Sequence, residues 1–177
     1  APAQGGLWNP DWQYYTGVVL RENTGLARLR EPVHVTLAVY ADRVTDIERE
    51  ARVVEIDPDS GVATEIPSQA YHASTWATKK PDQYRQPTTT CEVAFLADVP
   101  AESEKVYLIF YGNPKAPAPT YPSDLQVSGQ GLGLTVENAF YKMQFQDTGG
   151  SIDSIQMKMG VDEVFERFWS GNAAVFG

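Results

Sequence analysis

The sequence predicts an all-β protein: an antiparallel β-sandwich over residues 1–128, followed by a second β element over residues 129–177. Segments of alternating apolar and polar residues recur along the chain, and turn-forming residues separate them. No window sustains the apolar spacing of a long amphipathic helix. Hydrophobic residues make up 42% of the chain, which is enough to build a core.

The first predicted strand pair comprises residues 14–20 and 33–40, joined by a polar stretch that contains Asn23-Thr24-Gly25. Within the second strand, alternation places two sets of side chains on opposite faces: Val33, Val35, Leu37 and Val39 on one, and His34, Thr36 and Tyr40 on the other. This pattern is typical of a strand that is buried on one side only.

A hairpin is predicted for residues 51–56 and 62–66, which flank the turn sequence Asp57-Pro58-Asp59-Ser60-Gly61. Proline fixes φ, and glycine accepts a positive φ, so both suit a tight turn. Alternating carboxylates can also bind calcium, but the downstream glutamate of an EF-hand loop is missing here. The hairpin is the favoured interpretation.

Residues 76–90 are polar and contain prolines, which predicts a long loop. Two strands follow, at 91–99 and 105–111. Within the second, residues 106–111 are apolar on both faces, and this favours a position in the centre of the sandwich.

Prolines in residues 113–122 predict the exit from the first domain, and the glycines of residues 128–133 predict a linker. A hairpin of residues 134–146 and 151–159 should then open a second domain. A lone hairpin is not stable in water, so residues 134–177 should need a partner surface. The apolar end at Phe176 is interpreted as a chain that stops within that domain.

Charge and composition narrow the function classes. A net charge of −9 disfavours nucleic acid and anionic membranes as partners, and no apolar run is long enough to span a membrane. An acidic polysaccharide would need a local basic cleft that the sequence does not display. The single cysteine, Cys91, lies in an apolar strand and is expected to be a buried, unreactive thiol.

The N-terminal residues 1–6, Ala-Pro-Ala-Gln-Gly-Gly, are typical of what remains after a signal peptide is removed. This predicts a secreted or periplasmic protein. An arbitrary chain boundary is the alternative.

Residues 134–145, LTVENAFYKMQF, followed by residues 149–155, GGSIDSI, resemble the opening hairpin of galactose-mutarotase-like β-supersandwich domains. The region before them, from Arg30-Glu31-Pro32-Val33 to residues 107–114, is similar to a β-sandwich found ahead of such domains in large bacterial glycoside hydrolases and polysaccharide lyases. The resemblance implies an incomplete supersandwich after a non-catalytic sandwich that supports the catalytic domain or subunit of a secreted enzyme. The family's catalytic residues would lie outside this chain.

No catalytic, metal or cofactor site is predicted within the chain. His34 and His72 are not spaced as zinc ligands, and the glycines of residues 129–133 precede a strand rather than a phosphate-binding helix. Sequence alone does not place the paired carboxylates of a glycosidase, so a complete hydrolase or lyase is the third interpretation.

Exposed aromatic residues are the candidates for ligand contact, because flat rings offer apolar faces to sugars. The candidates are Trp76 and Tyr84, in or beside the predicted long loop, and Trp12 near the N-terminus. Trp12, like Trp8, could instead anchor the N-terminal segment to the core. A stand-alone carbohydrate-binding or cell-surface module is therefore the alternative function.

Overall fold

The computed structural model describes residues 8–76 and 86–158, and the chain divides into two compact units, Ala1–Tyr121 and Pro122–Gly177. The all-β prediction is confirmed, since the regular structure of the described residues is almost entirely strand. The strands are β1 (Tyr14–Arg21), β2 (Arg28–Tyr40), β3 (Arg52–Ile56), β4 (Ala63–Ile66), β5 (Ser68–Trp76), β6 (Thr88–Val99), β7 (Glu104–Tyr111), β8 (Gln126–Gln130), β9 (Gly133–Glu137), β10 (Tyr141–Phe145) and β11 (Ile152–Met157). A short 3-10 turn (Ala41–Arg43) and a single helical turn, α1 (Ile47–Glu50), lie between β2 and β3.

The first unit is an antiparallel β-sandwich of two sheets. Sheet I has the strand order β1-β7-β3-β4, and sheet II has the order β2-β6-β5. Their inward faces share one hydrophobic core, whose buried members on the strands are Leu37, Val39, Val53, Cys91, Val93, Phe95, Ala97, Tyr107, Ile109 and Tyr111. Alternation within β2 and β6 points every second residue into this core.

The predicted pairing of the first two strands is wrong. β1 pairs with β7 in sheet I, whereas β2 pairs with β6 in sheet II, so the chain crosses between the sheets around Glu22. Alternation identifies a strand's buried face but not its partner, which explains the error. The hairpin of β3 and β4 is confirmed, with Val53 opposite Ile66 and Ile56 opposite Ala63.

The central position of β7 is also confirmed. It lies between β1 and β3, and its last five residues are all buried. One face contributes to the core between the sheets. The other face, with Leu108 and Phe110, packs against Trp12 and Ala116, so both sides of the strand are covered.

Strand β5 was not predicted. It covers Ser68–Trp76, and β6 already begins at Thr88, so Trp76 and residues 88–90, which were predicted to lie in the loop, belong to strands. Residues 77–85 lie outside the described residues. β5 is an edge strand rich in small and polar residues, which gives a weak strand signal. Its pairing with β6 shifts between Tyr71 and Ser74, where His72 takes a positive φ of 56°.

Up to Tyr121, the proline-rich segment belongs to the first unit and lies against the outer side of sheet I. Ala116 is fully buried, the Arg52 guanidinium donates to the carbonyl of Pro117, and the Tyr121 hydroxyl donates to Glu65. The division between the units follows Tyr121, ahead of the predicted boundary near residue 128.

Within the described residues, the second unit forms an antiparallel sheet with the order β11-β10-β9-β8. Residues 126–130 form β8 instead of a linker, and the predicted long strand after Leu134 is interrupted at Asn138. The Asn138 side-chain oxygen accepts the N–H groups of Phe140 and Tyr141, which turns the chain from β9 into β10. Met159 and the apolar end at Phe176 lie outside the described residues.

Candidate functional site

The outer face of sheet II carries two exposed aromatic residues in one cross-strand row. Tyr40 on β2 and Trp76 on β5 each lie directly opposite Thr88 on the central strand β6. The residues are 45% and 59% exposed, respectively. Directly opposed residues in a sheet share a face, so Tyr40, Thr88 and Trp76 line one surface.

Strand alternation explains this placement. Leu37 and Val39 point into the core, so Thr36, Ala38 and Tyr40 point outward. On β6, buried Thr89 and Cys91 alternate with outward-facing residues in the same way.

Polar residues continue the surface beyond the aromatic row. Thr36 and Tyr71 lie opposite Glu92 from the two neighbouring strands, and His34 and Gln69 lie opposite Ala94. We call this surface the outer face of sheet II; it comprises His34, Thr36, Tyr40, Tyr71, Trp76, Thr88, Thr90 and Glu92.

Contacts between side chains fix several groups on this face. The Thr36 hydroxyl donates to Glu92 over 2.8 Å, and the His34 ring nitrogen Nδ1 lies 3.0 Å from the Tyr71 hydroxyl. The Arg43 guanidinium packs over the Tyr40 ring at 4.8 Å from its centroid. These contacts hold the polar groups and the Tyr40 ring in place before any ligand arrives.

The side chains of the outer face of sheet II are suited to binding an extended ligand. Neighbouring strands lie about 4.8 Å apart, so the backbones under Tyr40 and Trp76 are separated by roughly 10 Å. Aromatic rings at such a separation can contact two units of one extended ligand, while hydroxyl, carboxylate and imidazole groups supply hydrogen bonds. Within residues 8–76 and 86–158, no group of three His, Cys, Asp or Glu side chains could hold a metal ion.

The three predicted contact residues do not form one site. Trp76 lies on the outer face of sheet II. Trp12 is only 7% exposed and packs outside sheet I, where its indole N–H donates to the carbonyl of Glu50 over 2.7 Å. Tyr84 lies outside the described residues.

The environment of Trp12 supports the core-anchoring interpretation. Trp8 packs against it with ring centroids 5.0 Å apart, and the Arg52 guanidinium lies 5.4 Å from its ring centroid. These contacts and the deep burial cover most of its ring surface.

Tyr40 and Thr88 were missed as site residues. A signal was available for Tyr40, because alternation in β2 had already assigned it to the outward face. Its alignment with Trp76 depends on the pairing of both edge strands with β6, which no local pattern fixes.

Cys91 faces away from this site, into the core. Burial raises the pKa of its thiol to about 11, with further contributions from Glu48 and Glu92. The predicted burial of Cys91 in the core is confirmed, and a raised thiol pKa is the direction expected for an unreactive thiol.

Among the described helices, none is long and apolar enough to cross a membrane. No known protein family, no curated protein and no solved structure matches the chain.

Proposed function

We propose that this chain is the non-catalytic β-sandwich portion or subunit of a secreted carbohydrate-processing enzyme, and that the outer face of sheet II contacts the glycan. The observation that carries the proposal is the row of Tyr40, Thr88 and Trp76, which presents two exposed aromatic rings on a regular three-stranded surface. Exposed apolar side chains that are grouped on one surface can mark a ligand-binding or interaction site, and this row groups two aromatic rings on one face.

A sugar fits this surface because it has two kinds of group. Its C–H faces can stack on Tyr40 and Trp76, and its hydroxyls can both donate and accept hydrogen bonds. Thr88 lies between the rings and Thr90 lies in the neighbouring row, and both carry hydroxyls, while Glu92 provides an acceptor one row further on.

Charge favours a neutral glycan over an acidic one. The chain carries a net charge of −9, and the outer face contributes Glu92 with Arg43 at its margin. A polyanionic chain would meet repulsion without a basic cleft to offset it.

A supporting role is consistent with the chemistry of this face. Glycosidases need two carboxylates at defined separation, whereas the rows from Tyr40 to His34 contain the single carboxylate Glu92, which is engaged with Thr36. Under the proposal, the catalytic residues are supplied by a catalytic domain or subunit of the glycoside hydrolase or polysaccharide lyase type.

The second candidate is a stand-alone carbohydrate-binding or cell-surface module. The exposure of Trp76 favours it equally, because glycan contact through this ring needs no partner. The two candidates differ in whether a catalytic chain accompanies the sandwich.

Two measurements test the proposal. The purified chain is run through native gels containing cellulose derivatives, xylan, mannan or starch, with pectate as the acidic control, and each mixture is assayed for reducing ends and unsaturated products. We expect retardation by a neutral glycan and no product. Failure of every glycan to retard the chain, or product formation, would overturn it.

Affinity capture from the source organism then separates the two candidates. Recovery of a chain with glycoside hydrolase or lyase activity, identified by mass spectrometry, supports the enzyme-subunit function. A glycan-binding monomer that recovers no such chain supports the stand-alone module.

A further inference from the structure

A recess lies outside sheet I, on the opposite side of the sandwich from the outer face of sheet II. Its volume is about 550 Å³, and it is lined by residues 9–13 together with Asn113, Pro114, Lys115 and Pro117. This volume is in the range of small-molecule sites.

Two turns of the same construction form its walls, one from Asn9-Pro10-Asp11-Trp12 and the other from Asn113-Pro114-Lys115-Ala116. In each, the asparagine side-chain oxygen accepts the N–H two residues on, over 3.0 Å in both turns. The asparagine carbonyl accepts the N–H of the fourth residue, at 3.2 Å in the first turn and 3.0 Å in the second. Asparagine followed by proline favours this turn, because the side chain mimics a backbone acceptor and proline presets φ.

The fourth residue of each turn anchors it. Trp12 and Ala116 are both buried in the cluster outside sheet I. The third residues, Asp11 and Lys115, are exposed at the recess. The shared turn geometry thus places a carboxylate on one wall and an ammonium group on the other.

Several contacts fix the second wall before a ligand binds. Gly112, at φ 83°, leads from β7 into the Asn113 turn, and a Cβ there would lie 2.6 Å from a ring carbon of Tyr14. The Arg52 guanidinium donates to the Pro117 carbonyl over 2.7 Å. A preformed wall reduces the ordering cost of binding.

The polar groups of the recess are available to a ligand. Within the described part of the chain, neither Asp11 nor Lys115 forms an ion pair. The side-chain oxygens of Asn9 and Asn113 are used by their own turns, which leaves their amide N–H groups as donors. Prolines supply the apolar part of the lining.

We infer that this recess, the twin-turn pocket, binds one neutral pyranose at the end of a glycan chain. The ligand class rests on the proposed function. Sugar hydroxyls can donate to Asp11 and accept from Lys115 and the asparagine amides, while C–H groups contact the prolines. The one carboxylate and one ammonium group balance each other, so the pocket favours a neutral ligand.

A concave pocket and a flat face differ in what they can hold. The pocket suits a chain end, whereas the outer face of sheet II suits the interior of an extended chain. An amino-acid zwitterion would also match the two charges, but ion pairs between exposed groups add little affinity in water. The first unit would therefore contact glycan on two opposite sides.

The test is an amide NMR titration of the full chain with methyl glucoside, methyl galactoside, methyl mannoside and, separately, glycine. The variants are Asp11→Asn and Lys115→Gln, with Asp59→Asn as the matched control in an exposed turn elsewhere. We expect one of the glycosides to shift amides of residues 9–13 and 113–117. Each pocket variant should weaken this binding roughly tenfold, whereas Asp59→Asn and Trp76→Ala should not.

The inference is overturned if no glycoside shifts these amides, if glycine shifts them and the glycosides do not, or if the pocket variants bind as the wild type does. Its failure is distinguishable from that of the proposed function. If glycan binding depends on Trp76 but the amides of the twin-turn pocket do not respond, only the inference is wrong. If the chain binds no glycan at all, both the inference and the proposed function are wrong.

Discussion

Tyr40 and Trp76 lie on opposite edge strands of sheet II, in the same cross-strand row, with Thr88 between them. The backbone pairing of β2 and β5 with β6 sets their separation, so neither ring depends on the other for its position. Both are substantially exposed, so either can be truncated without opening the core.

Substitution of Trp76 by alanine should reduce affinity for any glycan that the chain binds by about tenfold or more, because a stacking aromatic anchor is lost. The free energy of unfolding should change by no more than about 0.5 kcal/mol, since the side chain is exposed. Gel retardation and urea unfolding measure the two effects.

The matched control is Val19→Ala, on sheet I, because Val19 is 58% exposed and Trp76 is 59% exposed. The control should retain full affinity. If Trp76→Ala and the wild type bind the glycan with equal affinity, the outer face of sheet II is not the surface that contacts the glycan.

Glu50 should be a large contributor to stability. Its side chain is fully buried, and Oε1 accepts the N–H groups of Thr45 and Asp46 at 2.8 Å each. Substitution by alanine leaves both donors without an acceptor, which should cost about 2–5 kcal/mol in urea unfolding.

Glu50→Gln is the informative comparison. It keeps a carbonyl oxygen for the two N–H groups and places an amide where Oε2 now lies buried without a hydrogen-bond partner. The loss should therefore be smaller than for alanine. An alanine variant as stable as the glutamine variant would contradict a role for these two hydrogen bonds.

The Cys91 thiol should not react with a disulfide reagent in the native protein near pH 8. Burial raises its pKa to about 11, so the thiolate is scarce, and the side chain is enclosed between the sheets. Absorbance of the released chromophore should appear only after denaturant is added. Equally fast labelling in native and denatured protein would show that the thiol is accessible.

Acid should selectively remove the stabilisation provided by Glu22. The Thr24 hydroxyl and the N–H groups of Glu102, Thr24 and Gly25 donate to this carboxylate and lower its pKa from 4.5 to about 2. Because the folded-state pKa is depressed, the stabilisation is present above pH 4.5 and is lost as the pH falls towards 2.

Urea unfolding of wild type and Glu22→Gln across this range measures the effect. The difference between their midpoints should be largest above pH 4.5 and should shrink towards pH 2. Asp57 and Glu137 also have lowered pKa values, but they titrate in both proteins and cancel in the comparison. A difference independent of pH would contradict the account.

The strands that the sequence identified best were those with strong local signals. Each of these signals spans only a few residues and predicts the structure of that segment alone. They are the alternation in β2, the turn with proline and glycine after β3, and the continuous apolar run of β7. The partners of β1 and β2 were not predictable, because a turn-like stretch between them in fact carries the chain from one sheet to the other.

Two further differences have the same origin. β5 is an edge strand of small and polar residues, so its strand conformation depends on pairing with β6 rather than on its own composition. Asn138 follows β9 with no glycine or proline beside it in the chain, and its turn becomes visible only through the hydrogen bonds of its side chain.

The candidate site was predictable in part. Trp76 and the outward orientation of Tyr40 followed from local sequence. Predicting that they share one row would have needed the register of three strands. Predicting the twin-turn pocket would have needed the knowledge that two Asn-Pro turns, far apart in the chain, line one recess. For Trp12, the sequence allowed either burial against the core or contact with a ligand, and only tertiary packing distinguishes these two roles.

The most direct test of the proposed function is an amide NMR titration of the full chain with the neutral oligosaccharide that gives the strongest gel retardation. We expect shifts of the amide resonances of Tyr40, Thr88, Thr90 and Trp76, with the largest changes in the row of the two aromatic residues. Shifts confined to the second unit, or no shifts at saturating oligosaccharide, would contradict glycan contact through the outer face of sheet II.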